Sequence, residues 1–113
     1  MNEISYKENK DQLYVVTPTI HSYPMSKHAG FNVYLKLENL QKPGSFKIRG
    51  SEAVYKKAIQ NGYHKITCAS AGNAGITSAY VANQLGVPIT VVMPVTTPQD
   101  TLNKISEQSI KIT

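Results

Sequence analysis

The chain has almost no cysteine. Among its 113 residues only Cys68 carries a thiol, so no internal disulfide can form. That scarcity favours a reducing compartment. Long apolar runs are missing as well. The longest, "GVPITVVMPV" from Gly86 to Val95, falls far short of the roughly 20 residues that a membrane span needs. The opening stretch "MNEISYKENKDQ" has neither a signal peptide's apolar core nor a transit peptide's shortage of acids. A soluble, cytoplasmic protein without membrane contact is therefore expected. Repeats and low-complexity tracts are lacking too. Acids are outnumbered: twelve Lys and Arg against seven Asp and Glu leave a net charge of +5. The lysines are scattered rather than gathered beside aromatic platforms, which argues against a nucleic-acid partner. A basic solvated surface remains, or one that attracts small anions. His21, His28 and His64 form no metal-ligand constellation, so they read as surface residues and no metal site is expected.

What is present suits a globular domain. Hydrophobic residues make up 41% and charged residues 17%. A chain of this length can bury roughly two-thirds of its unfolded surface in one domain. Residues up to about Leu13 read as a tail or short helix. "TPTIHSYP", Thr17 to Pro24, reads as irregular because of its two prolines. "MSKHAG" suggests a short helix stopped by Gly30. "VYLKLE", Val33 to Glu38, alternates like a strand, and "NLQKPG" follows as a turn. A helix is expected from Phe46 to about Asn61, with Ile48, Ala53, Val54, Ala58 and Ile59 as its apolar stripe and Gly62 just past its end.

The pattern then alternates. "HKITCAS" reads as a strand, "ITSAYVANQL" as a helix of small residues ended by Gly86, and "PITVVMP" as a buried strand of continuous β-branched character. "TTPQDTLNKISEQ" opens with a capping signal: Thr97, Pro98 at the first helical position, then Asp100. "IKIT" starts another strand. Alternation of this kind implies an α/β fold with a parallel sheet flanked by helices. Parallel strands are expected near residues 65–69, 89–93 and 110–112. In such sheets ligands bind beyond the carboxyl ends of the strands.

Two stretches carry chemistry. "SAGNAG", Ser70 to Gly75, lies where a strand runs into a helix. Glycines at 72 and 75 let backbone approach a ligand. Free N–H groups at a helix start attract carboxylate or phosphate. Ser70 adds a hydroxyl, and Asn73 offers both a donor and an acceptor. The plainer alternative is a turn that needs glycine for its geometry alone. In "QKPGSFKIRG", Gln41 to Gly50, a lysine sits between Phe46 and Ile48 at a helix start. The helix dipole there disfavours an ammonium, and apolar burial would push the same way. A neutral amine is a nucleophile toward an aldehyde. The plainer alternative is a lysine that snorkels to solvent. Cys68 reads as a small buried hydrophobe, and Arg49 as structural.

Taken together, "GSFKIRG" followed by "SAGNAG" resembles the fold-type II pyridoxal-phosphate enzymes, the tryptophan-synthase-β-like family, and within it the L-serine dehydratases/L-threonine deaminases. The similarity also runs through "TP", "SKHAGFNVYLKLENLQ", "CASAGNAG", "QLGVPITVV" and "TTPQDT", from about residue 17 to about residue 105. It implies that pyridoxal 5'-phosphate is the cofactor and that Lys47 carries it. It further implies that Phe46 lies against the cofactor ring and that Asn73 bonds its 3'-hydroxyl. Ser70, Ala71, Gly72 and Asn73 would then hold the carboxylate of an amino-acid substrate. Freed Lys47 would take the α-proton, with serine going to pyruvate and ammonia and threonine to 2-oxobutyrate. Relatives that racemise serine carry a second serine at the position of Ala71, and a methyl group cannot transfer a proton. Elimination is therefore expected over racemisation.

The resemblance divides the chain as well. Residues 1–40 match the start of the family's large domain and 41–113 most of its smaller one, a single partial domain in all. The family's phosphate-holding loop, the group facing the pyridine nitrogen and the cation site lie beyond the similar stretch. A truncated chain is expected, and a homodimer for the full-length form. Three or four charge-assisted bonds at roughly 1.5–3 kcal/mol each would be lost with the loop, so the 113 residues alone are expected to bind the cofactor weakly and to turn nothing over. The alternative is a non-catalytic α/β domain that keeps the fold and a partner surface, or another family member such as a serine racemase.

Overall fold

The computed structural model describes residues 11–108. The expected strand at 110–112 lies outside them, as does most of the expected N-terminal tail. Among the described residues four strands and four α-helices follow one another, in two small sheets.

The first sheet is antiparallel and local. β1 (Thr19–His21) pairs with β2 (Tyr34–Lys36), Ile20 opposite Leu35. Between them runs α1 (Tyr23–Ala29), which ends at Gly30 with a left-handed φ of 79°. Glycine adopts that conformation without a Cβ penalty, as the sequence suggests. The segment 17–24 is not wholly irregular, however. Pro18 and Pro24 lie outside β1, so three residues are free to pair. β2 is shorter than its alternation implies, because Glu38–Leu40 wind into a single 3₁₀ turn.

The second sheet is parallel, as expected. β3 (Ile66–Ala69) and β4 (Ile89–Val92) pair with Ile66 opposite Ile89 and Ala69 opposite Val92. Their carboxyl ends therefore share one edge. The crossover between them is α3 (Asn73–Leu85), the most buried element. Its small residues explain this: Gly75, Thr77, Ser78, Ala79, Val81 and Ala82 are all buried, and small side chains let neighbours approach on every side. Ala79 and Ala82 join Ile66, Ile89, Val91 and Ile105 in the core. Cys68, half-buried, packs against that cluster. β4 is not fully buried: Val92 is 54% exposed, and burial alternates along the strand. Only one of its faces meets α3.

α2 (Lys47–Gln60) and α4 (Gln99–Gln108) pack on α3. The inward face of α2 differs from the apolar stripe. Ile48 and Glu52 are buried and Tyr55 is half-buried, whereas Val54 is 62% exposed. Spacings of four and then three residues put Ile48, Glu52 and Tyr55 on one face, which excludes Val54. Tyr55 reaches α3 and donates a hydrogen bond to Ser78 Oγ at 2.6 Å. At α4 the capping expectation fails. The Thr97 hydroxyl donates to the Pro94 carbonyl at 2.6 Å instead of accepting from the helix. The Pro98 carbonyl accepts the first helical bonds, from Thr101 and Leu102.

Polar side chains join residues 11–17 to the rest. The Gln41 carboxamide meets Val15 as a strand would, accepting its N–H at 2.9 Å and donating to its carbonyl at 2.8 Å. Buried Glu52 accepts the N–H groups of Leu13 and Tyr14 and pairs with Lys56 at 2.6 Å. Burial would raise its pKa, but the Lys56 and backbone hydrogen bonds outweigh that and hold it low.

Candidate functional site

Lys47 is the first residue of α2, as its sequence setting suggests. Its burial does not follow. Ile48 is fully buried, but Lys47 is exposed and Phe46 is 58% exposed. Ile48 points into the protein one position on, and the two residues before it are left outside. The Lys47 ammonium rests 5.2 Å from the centroid of the Phe46 ring, a cation–π contact. Among the described residues it has no carboxylate partner. Apolar burial therefore does not set the chemistry of this amine. Its place at the helix start remains.

Arg49, two residues on, faces elsewhere. Its guanidinium grips Glu38 with two bonds, Nε to Oε2 at 2.9 Å and Nη2 to Oε1 at 2.8 Å. Thr17 Oγ1 donates to the same carboxylate at 2.5 Å and Gln41 at 3.1 Å. The Arg49 bond, which outweighs the opposing effect of burial, holds the Glu38 pKa at about 2. This clamp fixes the first turn of α2 against the 3₁₀ turn. Arg49 is structural, as the sequence reads, but its partner Glu38 was missed. The available signal was a glutamate and an arginine on either side of a Pro-Gly turn.

The glycine turn lies where the alternating pattern puts it. Ser70 extends the parallel ladder by donating its N–H to Val92 at 3.1 Å. The chain then passes Ala71 and Gly72 and enters α3 at Asn73. The two glycines do different work. A Cβ on Gly75 would lie 2.6 Å from the Ser70 carbonyl oxygen and 3.4 Å from Ile105 Cδ1. Only glycine lets α3 press that closely on the chain leaving β3. A Cβ on Gly72 would meet nothing within 4 Å, so packing does not explain that glycine. It does leave the backbone of the turn open to a ligand. Asn73 is exposed. Neither α2 nor α3 has an acidic residue in its first turn, so both positive helix ends are left uncompensated.

One contact brings the two stretches together. Ser45 Oγ lies 3.5 Å from Thr77 Oγ1, and both residues are buried. Ser45 precedes Lys47 by two residues. Thr77 lies four residues after Asn73, hence on the same face of α3. The lysine and the glycine turn thus share one end of the α2–α3 pair, at the carboxyl edge of β3 and β4. Near that end stand the Lys47 amine, the Asn73 carboxamide and the start of α3, where the Gly72 N–H donates to Ser70 Oγ at 3.4 Å. That donor set fits a ligand carrying an aldehyde and anionic groups.

A family profile described as pyridoxal-phosphate dependent enzyme matches residues 10–110. The chain belongs to this family. Its cofactor is pyridoxal 5'-phosphate. Human L-serine dehydratase/L-threonine deaminase is 44% identical over 102 residues, which are 90% of this chain and 31% of that protein. The chain therefore spans about a third of the length of the curated relatives it matches. Two solved structures superimpose well. A serine racemase from Dictyostelium discoideum has a TM-score of 0.74 at 33% identity, covering 86% of this chain and 32% of its own. A fungal L-serine ammonia-lyase from Rhizomucor miehei has a TM-score of 0.73 at 31% identity, covering 88% and 33%. Family and fold agree with the resemblance read from the motifs.

Proposed function

We propose that these residues form the lysine-bearing part of a pyridoxal-phosphate-dependent L-serine/L-threonine dehydratase. The observation that supports this is the Ser45–Thr77 contact, which ties the residues just before Lys47 to α3 one turn past Asn73. The similarity to relatives named L-serine dehydratase/L-threonine deaminase supports the choice of substrate. Residues 1–40 then belong with a large domain and 41–113 with a smaller one, and the separate sheets on either side of residue 41 support that division. A homodimer is part of the same proposal.

Each residue has a role. When bound, the cofactor supplies an electron sink for the electrons left at the substrate's α-carbon. The Lys47 amine would hold the cofactor aldehyde, and as a free amine it would serve as general base toward the α-proton. The Phe46 ring is exposed beside that amine and offers a flat face to the cofactor ring. The Asn73 carboxamide bonds the cofactor's 3'-hydroxyl. The Ser70 hydroxyl and the N–H groups of Ala71, Gly72 and Asn73 hold the substrate carboxylate, helped by the positive end of α3.

Serine racemisation is the second reading, because a serine racemase is among the structural neighbours. Ala71 counts against it: its methyl group cannot return a proton to the opposite face. Two measurements test the assignment. Incubation with pyridoxal phosphate and trapping with borohydride should label Lys47 above all other lysines. Lys47→Ala should remove that label, and Asn73→Ala should weaken binding about fivefold, the equivalent of one hydrogen bond. Even labelling of the surface lysines would overturn the cofactor assignment. In a form that carries the rest of the family's fold, turnover of L-serine should give pyruvate with little D-serine; abundant D-serine would favour the racemase.

A further inference from the structure

We propose that the Ser45–Thr77 hydroxyl pair is a positioning device that sets the first turn of α2, and with it Lys47, against the glycine turn. This rests on the reading of Lys47 as the cofactor lysine. Ser45 is 7% exposed and Thr77 is fully buried. Among the described residues each hydroxyl has the other as its sole partner. Thr77 does not bond back to the Asn73 carbonyl, as Ser106 does to Leu102 in α4 at 2.8 Å. Buried polar groups left unmatched are destabilising, so an apolar pair of the same shape would fill this contact at less risk.

Two features make the pair a register mark and not filler. It is the side-chain contact that links the residues just before Lys47 to the helix that starts at Asn73. Ser45 is the last residue but one before Lys47, and Thr77 stands one turn from Asn73 on the same face of α3. The α2–α3 bond from Tyr55 to Ser78 lies ten residues along the chain from Ser45 but only one from Thr77. The helices therefore cross, and one contact cannot replace the other. Tyr55 holds the crossing, and Ser45 fixes the angle at the end where Lys47 stands.

The test uses the 113-residue chain and separates hydroxyl from shape. Thr77→Val keeps the shape and removes the hydroxyl; Thr77→Ser keeps the hydroxyl and removes a methyl. Amide hydrogen exchange, read without cofactor, decides the matter. Thr77→Val should accelerate exchange severalfold at the hydrogen-bonded amides of Arg49 and Ser70, leave 56–60 unchanged, and be matched by Ser45→Ala. Thr77→Ser should stay near wild type. In borohydride trapping with pyridoxal phosphate, the preference for Lys47 should fall by a similar factor in Thr77→Val and persist in Thr77→Ser. Unchanged exchange in Thr77→Val, or a larger effect from Thr77→Ser, would overturn the device and assign Thr77 to packing. A wild-type chain labelled evenly but showing the exchange pattern would keep the device and overturn the cofactor reading alone.

Discussion

Glu38 shows how much of the candidate site depends on residues outside it. It does not approach the amine of Lys47, yet through Arg49 it holds the turn on which Lys47 stands. Its folded pKa of about 2 lies below the unfolded value near 4.5. Its stabilising contribution is therefore complete above about pH 4.5 and is lost as the pH falls toward 2. Urea unfolding followed across that window should show declining stability. Glu38→Gln should cost about 1–3 kcal/mol at neutral pH and flatten the decline. An equally steep acid limb in the variant would assign it to another carboxylate, Glu52 being the obvious one. Residue roles of this kind were hard to read from sequence. Lys47, Asn73 and the two glycines sit in a motif, but the Glu38–Arg49 clamp depends on a turn that folds eleven positions back on themselves.

Elements were more legible than their faces. The three helices after residue 46 and the parallel pair follow from the alternation of apolar runs with Gly62 and Gly86. β1 was not legible, because three residues between prolines give no period to count. The stripe on α2 misled for a physical reason. Apolar residues were assigned inward, yet the buried face holds Glu52, whose charge is matched by Lys56 and two backbone N–H groups. The difference is measurable. Val54→Lys should change stability by no more than about 0.5 kcal/mol, as at any exposed helix site. Ile48→Ala should cost about 2–5 kcal/mol, because Ile48 is fully buried. Comparable losses in both variants would restore the apolar stripe.

At the scale of the whole molecule, family and fold were legible because two motifs at a fixed separation say more than either alone. The side-chain contacts that link the two stretches were not. The link depends on the contacts Ser45–Thr77 and Tyr55–Ser78, and on Gly75, where a Cβ would lie 2.6 Å from the Ser70 carbonyl oxygen. The expected burial of Lys47 failed at the same scale. Neighbours in sequence do not fix burial when the residue after the lysine is the one that turns inward.

The bond from Tyr55 to Ser78 also gives the molecule an optical reporter. The chain has seven tyrosines and no tryptophan, so its near-ultraviolet absorbance belongs to phenol rings. Burial pushes the Tyr55 pKa above the ordinary tyrosine value, although its bond to Ser78 acts the other way. In an alkaline titration one phenolate band should therefore emerge above the usual range near 10, and Tyr55→Phe should abolish it. A phenolate is a poor tenant for that half-buried position, so the late band and the loss of helical ellipticity should rise together. Absorbance at a single wavelength would then follow the parting of α2 from α3.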